Sequence, residues 1–137
     1  MANKLLLDTC AAIWISEDVA LSDAAVEAID GAFTRGEPIY VSPITAWERG
    51  MLVSKGRLGS TISPYQWFSS LMNTGFELAD MSPSILIDSS LLPGSIHGDP
   101  ADRIIIATAR ALNLSIVTSD ARILEYAENG HVRAIRC

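Results

Sequence analysis

Five short apolar runs are spaced along the chain, at residues 4–7, 39–41, 76–78, 115–118 and 132–135. Each run predicts a β-strand. The runs are short and mainly apolar, with single charged residues at Lys4, Glu77 and Arg133. Such runs are typical of parallel strands that are buried on both faces.

Helix signals lie between these runs. Four pairs combine an N-cap residue with proline at the first helical position, where proline loses no helical hydrogen bond. They are Ser42-Pro43, Ser63-Pro64, Ser82-Pro83 and Asp99-Pro100. Two further helices are expected at residues 22–35, ended by Gly36, and at 121–128, followed by Gly130. The alternation predicts an α/β fold, a three-layer α/β/α sandwich with a central, mainly parallel sheet.

Composition limits the class of protein. The chain has 137 residues, of which 49% are hydrophobic and 19% charged, a globular balance that predicts one domain over 1–137. No apolar run approaches the roughly 18 residues of a membrane span. Three leucines ended by Asp8 are too short for a signal-peptide core. We therefore expect a soluble, cytoplasmic protein that does not bind a membrane.

The cysteines, the histidines and the net charge limit which kinds of functional site the chain can have. Cys10 and Cys137 lie at opposite ends of the chain, which favours a reducing compartment. His97 and His131 are isolated, which argues against zinc. A net charge of −6 excludes non-specific coating of nucleic acid. A nucleic-acid substrate could bind only where the acidic side chains of the protein near its phosphates are neutralised.

Two predicted strands end in aspartate, at Asp8 and Asp120. Ligands of open α/β sheets bind outside the carboxyl ends of the strands. Either aspartate alone is equally well explained as a helix N-cap. Two of them on neighbouring strands favour a functional site.

Glu48 is expected on the inward face of the helix that starts at Pro43, because it lies four residues after Ile44. A carboxylate that faces a core must be paired or bound to a metal. The alternative is a salt bridge to Arg49 or Lys55, whose side chains point to other faces. The inward stripe is predicted to consist of Ile44, Trp47 and Met51.

Two more acids open the most hydrophobic helix, at Asp99 and Asp102. We interpret Asp99 mainly as its N-cap. Asp102 falls on the flank between the core face and the solvent edge, which suits a site residue. The core face is predicted to contain Ala101, Ile105, Thr108 and Leu112, and the solvent edge Arg103 and Arg110.

If Asp8, Glu48, Asp102 and Asp120 converge, four carboxylates repel one another in one pocket. Hard divalent cations relieve such repulsion, and oxygen ligands select Mg²⁺ or Mn²⁺. Such ions polarise a phosphodiester and activate water, and a pair of ions about 4 Å apart holds both the attacking and the leaving oxygen. The pattern therefore favours phosphodiester hydrolysis.

Four stretches, in order and at matching spacing, resemble the PIN-domain family and, within it, the VapC-type ribonuclease toxins of prokaryotic toxin–antitoxin pairs. They are LLLDT at 5–9, VSPITAWE at 41–48, HGDPADR at 97–103 and VTSD at 117–120. The resemblance covers nearly the whole chain. It implies a PIN fold, dependence on Mg²⁺ or Mn²⁺, and cleavage of structured RNA.

The resemblance also implies roles for individual residues. It places Asp8, Glu48, Asp102 and Asp120 as an acidic quartet that is both catalytic and metal-binding, with Asp99 as a fifth, lesser ligand. Three hydroxyl residues would orient the carboxylates: Thr9, Ser42 and Thr118. We interpret Cys10 as a packing residue, and His97 as a residue of the helix entry.

The family further implies partners: a second copy in a homodimer, and a VapB-like antitoxin that covers the site and often brings an arginine to it. An apolar groove for an antitoxin helix could include Trp14, Trp47, Tyr65, Trp67 and Phe68. The alternative is that most of these aromatic residues belong to the core.

Three rival functions remain. A catalytically silent PIN-like module would have lost a quartet member, and all four are present. A haloacid-dehalogenase-type phosphatase needs a second aspartate two residues after Asp8, where Cys10 stands. A nucleotide-binding Rossmann domain needs a glycine-rich motif that the sequence lacks.

Overall fold

The structure, a computed structural model, describes residues 4–57, 62–96 and 98–137. His97 and its expected role lie outside the described residues. The elements are β1 Leu5–Leu7, α1 Thr9–Ser16, α2 Asp23–Thr34, β2 Ile39–Val41, α3 Pro43–Ser54, α4 Pro64–Asn73, β3 Phe76–Leu78, α5 Pro83–Ser90, α6 Pro100–Leu112, β4 Ser115–Thr118, α7 Ala121–Glu128 and β5 Arg133–Arg136.

The five strands form one sheet in the order β3-β2-β1-β4-β5. Every neighbouring pair is parallel, with Leu7 opposite Val41 on one side and Val117 on the other. The predicted α/β class with a parallel sheet is therefore confirmed. Because the strands are parallel, Asp8 and Ser119 follow β1 and β4 at the same edge.

Successive side chains of the central strands β1 and β4 enter two separate cores, as strand geometry requires. Leu5 and Leu7 pack among α1, α2 and α4, whereas Leu6 and Ile116 pack under α6 and α7. This burial on both faces explains why β1 and β4 contain no charged residue. The same arrangement of parallel strands and connecting helices places the starts of α1, α6 and α7 at the carboxyl edge of the sheet.

The predicted helix starts are confirmed. Ser42, Ser63, Ser82 and Asp99 each cap a helix that has proline in its first turn. The helix expected at 22–35 is α2, capped by Ser22. Gly36 after it has a φ of +69°, a conformation that glycine adopts without strain. Helix α1 had been anticipated only through the possible cap at Asp8.

The predicted inward stripe of α3 is wrong at Trp47, whereas Ile44 packs partly buried against the core under α6 and α7. Trp47 is 54% exposed, and the buried residues of α3 are Thr45 and Arg49. The Arg49 guanidinium lies 4.6 Å from the Trp67 ring and pairs with Glu17 at 3.6 Å, not with Glu48. Polar contacts to α1 and α4 therefore fix the rotation of α3, which an apolar pattern does not reveal.

The predicted faces of α6 need two corrections. Leu112, expected in the core, is 38% exposed because it lies in the last turn of the helix. Arg103, expected at the solvent edge, is half-buried and donates to the Ser89 and Ile96 carbonyls at 2.8 and 3.4 Å. Arg103 therefore ties α6 to α5 and to the loop after it.

The aromatic residues divide between core and surface. Trp67 is a core residue, whereas Trp47 and Tyr65 are exposed. A pocket of about 500 Å³ lies between α3 and α4 beside Tyr65 and Phe68. In the described ranges, no helix has the length and hydropathy of a transmembrane segment.

Candidate functional site

All five acids singled out from the sequence line one cavity of about 330 Å³ at the carboxyl edge of the sheet. Asp8 and Asp120 come from the turns after β1 and β4, Glu48 from α3, and Asp99 and Asp102 from the start of α6. The lining is completed by Thr9, Cys10, Ile13, Leu52 and Ser119.

Asp8 is the most deeply buried of these acids. One carboxylate oxygen caps α1 by accepting from the Ala11 backbone N–H at 2.8 Å, and the other accepts from the Thr118 hydroxyl. Burial raises the pKa of Asp8 above its ordinary value, although both hydrogen bonds oppose the shift. The carboxylate is therefore held in place at the expense of its hydration.

Thr118 connects Asp8 to Asp120. Its hydroxyl donates to Asp8 and accepts from the Asp120 backbone N–H at 3.0 Å. Oδ1 of Asp120 in turn caps α7 by accepting from the backbone N–H groups of Arg122 and Ile123. The two aspartates that follow neighbouring strands are thus set by one fully buried hydroxyl.

Two hydrogen-bonded threonine hydroxyls position Glu48. The Thr9 hydroxyl donates to Oε1 of Glu48 and lies 3.0 Å from the Thr45 hydroxyl. Because Thr9 has only one hydroxyl proton, Thr45 must donate to Thr9. Burial raises the pKa of Glu48, with smaller contributions from the charges of Asp99 and Asp8.

Asp99 and Asp102 differ in environment. Asp99 is exposed and caps α6 by accepting from the Ala101 and Asp102 backbone N–H groups at 3.0 and 3.2 Å. Asp102 is half-buried, and burial raises its pKa from 3.8 to about 7, helped by the charges of the other four acids. The acid at the centre of the cluster is therefore partly protonated near neutral pH.

Ser42 does not have the role expected of it. Its hydroxyl is fully buried and caps α3 by accepting from the Ile44 backbone N–H at 3.1 Å. Among the described residues, it makes no bond to a carboxylate. Thr45, which sequence reasoning missed, does the orienting in its place. Its position three residues before Glu48, on the same side of the helix, was the available signal.

The thiols agree with the packing interpretation of Cys10. Its Sγ accepts from the Ser119 hydroxyl at 3.7 Å, and burial raises its pKa. Cys137 lies at the same edge, since its backbone N–H donates to the Thr118 carbonyl at 3.0 Å, and burial raises its pKa to about 11. Both thiols are therefore neutral at pH 7, which does not suit a nucleophile.

The donor set suits a hard divalent cation. In the described part of the chain, no three His, Cys, Asp or Glu side chains are arranged to hold one ion as they lie. Asp8 and Glu48 accept from threonine hydroxyls. Three of the five carboxyls nevertheless have raised pKa values, so a cation among these oxygen atoms would relieve both desolvation and repulsion.

Comparison with known proteins agrees with this geometry. The family model of the PIN domain matches residues 5–129, which include all five acids. The chain belongs to the PIN-domain family. The expectation drawn from the four sequence stretches is confirmed at the level of the family.

One relative of this PIN domain is a ribonuclease, and solved structures that share its fold are of VapBC proteins. Ribonuclease VapC22 of Mycobacterium tuberculosis is 34% identical over 122 residues, which cover 88% of this chain and 90% of that protein. Two crystal structures share the fold at 18–19% identity: VapBC2 from Rickettsia felis bound to a promoter DNA fragment, with a TM-score of 0.68, and DNA-bound VapBC from Salmonella typhimurium, with 0.66. They cover 96–98% of this chain and 97–98% of theirs.

The structure of this PIN domain predicts that Thr118→Val destabilises it by about 1–3 kcal/mol at pH 7, because the buried Asp8 carboxylate and the Asp120 N–H lose their partner. Urea unfolding measures the change. Thr108→Val is the matched control. Thr108 is equally buried, but its hydroxyl only donates to the Ile104 carbonyl of its own helix. Equal effects of the two substitutions would contradict the bridging role of Thr118.

Proposed function

We propose that this chain is a metal-dependent endoribonuclease that hydrolyses phosphodiester bonds in RNA, and that it is the toxin of a cytoplasmic toxin–antitoxin pair, with residues 1–137 forming one catalytic domain. The observation that carries the proposal is the convergence of five acids from four separate segments on one cavity. A buried carboxylate cluster is unfavourable unless a function requires it. The related ribonuclease supports the choice of RNA.

Mg²⁺ or Mn²⁺ would be held by Asp8, Glu48, Asp102 and Asp120, with Asp99 in a lesser role. When bound, such an ion polarises the phosphodiester and lowers the pKa of a water molecule that attacks it. The protein supplies fixed orientation. The Thr45–Thr9 pair holds Glu48, and Thr118 holds Asp8 and the backbone at Asp120.

A VapB-like antitoxin and a second copy of the chain are the proposed protein partners. The VapBC structures that share this fold support the antitoxin. The pocket between α3 and α4 is lined mainly by apolar atoms, and Tyr65 beside it is 89% exposed. An amphipathic helix of a partner would bury that surface.

The rival functions are less well supported. Cys10 lies in the first turn of α1 and points to the cavity, where a haloacid-dehalogenase-type phosphatase would need an acid. A catalytically silent module would not need the Thr9 and Thr118 hydroxyls to hold Glu48 and Asp8 in place where burial disfavours their charged form.

The direct test uses purified, antitoxin-free protein and total RNA. With Mg²⁺ or Mn²⁺ we expect discrete fragments, and with chelator none. In cells, expression of the chain alone should arrest growth. Cleavage that persists in chelator would overturn the metal mechanism. Harmless expression of an RNA-cleaving protein would overturn the toxin role alone.

A further inference from the structure

The charges of this acidic chain are unevenly distributed. Twelve of its sixteen acids precede residue 101, whereas five of its ten basic residues follow residue 100. An RNA strand that approaches five carboxylates is repelled, so attraction must come from another surface near the site. The C-terminal segment is where such a surface can be sought.

Two adjoining cavities of about 530 and 420 Å³ follow the edge strand β5. They share Ala127, Val132 and Arg133, so they form one continuous depression, which we call the β5 groove. Arg136 lines one end of this groove and Arg110 the other, and Glu128 is an acid in its lining. Cations thus outnumber acids along the groove, the reverse of the chain as a whole.

The groove begins beside the candidate site. In the parallel register, Arg136 is opposite Thr118, whose hydroxyl holds Asp8. Arg133 follows about 10 Å further along the strand, at the strand rise of about 3.3 Å per residue. A polyanion that lies along β5 would therefore end at the carboxyl edge of the sheet, where the carboxylate cavity lies.

Side chains in the groove differ in their freedom to bind a ligand. Within the described ranges, the exposed Arg136 side chain makes no hydrogen bond or ion pair. The exposed Arg133 donates to Oδ1 of Asn113, and Arg110 donates to the His131 carbonyl. Each of these two bonds uses one edge of a guanidinium that has five donors in all. Donors therefore remain for phosphate oxygens along the whole groove.

We propose that the β5 groove binds the phosphate backbone of the RNA strand next to the bond that is cut. The proposal rests on the proposed function, because it concerns the substrate of that same site. Arginine binds phosphate through two parallel hydrogen bonds. The groove ends at the same carboxyl edge of the sheet as the carboxylate cavity, because Arg136 is opposite Thr118. This placement favours RNA over an acidic protein segment, which need not point at the site.

The test measures RNA affinity in a background that does not cut. A fluorescent single-stranded RNA is titrated with Asp102→Asn protein, and anisotropy gives the Kd at several salt concentrations. Adding Arg133→Gln and Arg136→Gln together should weaken binding about tenfold near 0.1 M salt. It should also reduce the salt slope by about 1.4, or about 0.7 for each phosphate contact. In the cleaving protein, the same pair should raise KM and leave kcat nearly unchanged.

Arg35→Gln is the matched control, since Arg35 is an exposed arginine at the end of α2, away from the groove. Arg136→Gln alone, which breaks no side-chain bond among the described residues, controls for a folding defect in the double variant.

Unchanged RNA affinity in the double variant, or an equal loss with Arg35→Gln, would overturn the proposal that the β5 groove binds RNA. Displacement of RNA by poly-glutamate as readily as by unlabelled RNA would assign it to an acidic protein instead. A wild-type protein that cleaves no RNA would overturn the proposed function, whereas the binding titration reports on the groove by itself.

Discussion

Replacing Asp102 with asparagine is expected to lower RNA cleavage at least about a hundredfold, the largest loss that any single change in this chain should give. Asp102 is the acid whose pKa is raised most clearly, to about 7, and each of the other four acids contributes to that shift. It does not cap its helix, since Asp99 has that role. Asparagine keeps its size and removes the charge that a metal ion requires.

Two asparagine variants make this result specific. Asp99→Asn should reduce cleavage less, because Asp99 is exposed and asparagine also caps helices well. Asp30→Asn removes one charge from the exposed face of α2 and should leave cleavage unchanged. Initial rates on one labelled RNA compare the three variants. A rate for Asp102→Asn within threefold of the wild type would show that the cluster is structural.

The metal-free protein is expected to lose stability as the pH rises from 5 to 8. Burial raises the folded-state pKa of Asp102 from 3.8 to about 7 and also raises the pKa values of Asp8 and Glu48. The folded state therefore binds more protons than the unfolded chain between these values, and the free energy of unfolding falls with rising pH. For Asp102 alone the full shift corresponds to about 4 kcal/mol, and solvent screening of this half-buried group reduces the expected loss to about 2 kcal/mol.

Urea unfolding in chelator at pH 5, 6, 7 and 8 measures this loss. Asp102→Asn should flatten the profile and be the more stable protein at pH 8, where the wild type carries the unfavourable charge. Saturating Mn²⁺ should restore about 2–3 kcal/mol to the wild type at a hundredfold excess over its Kd. A free energy of unfolding that rises from pH 5 to 8 in the wild type would mean that the folded state stabilises these carboxyls as anions. Metal ligands that repel one another in chelator should do the opposite.

Local chemistry made most of the fold predictable. A serine or aspartate before proline fixes a helix start through atoms close in sequence, and unbroken apolar runs such as Ile39–Val41 permit few structures other than a buried parallel strand. The convergence of Asp8 and Asp120 also follows from local rules, because the ends of parallel strands share one edge.

Features set by long-range contacts were not predictable. The rotation of α3 depends on Arg49 packing against Trp67 and Glu17, and neither partner is marked in the local pattern. The sequence predicts repulsion among the converging carboxylates, whereas burial is the largest cause of the raised pKa of Asp102. Three of the five acids, Asp8, Asp99 and Asp120, are helix caps as well as site residues, so the two interpretations of an aspartate after a strand do not exclude each other.

The most direct test of the central claim is a calorimetric titration of the wild-type chain with Mn²⁺ at pH 7 in two buffers of different ionisation enthalpy. A metal ion requires deprotonated carboxylates, and Asp102 with a pKa of about 7 is about half protonated at this pH. We therefore expect saturable binding of Mn²⁺ that releases protons, and loss of both the binding and the proton release in Asp102→Asn. Absence of binding heat in both buffers, or the same binding and proton release in Asp102→Asn, would contradict a metal centre built from these carboxylates.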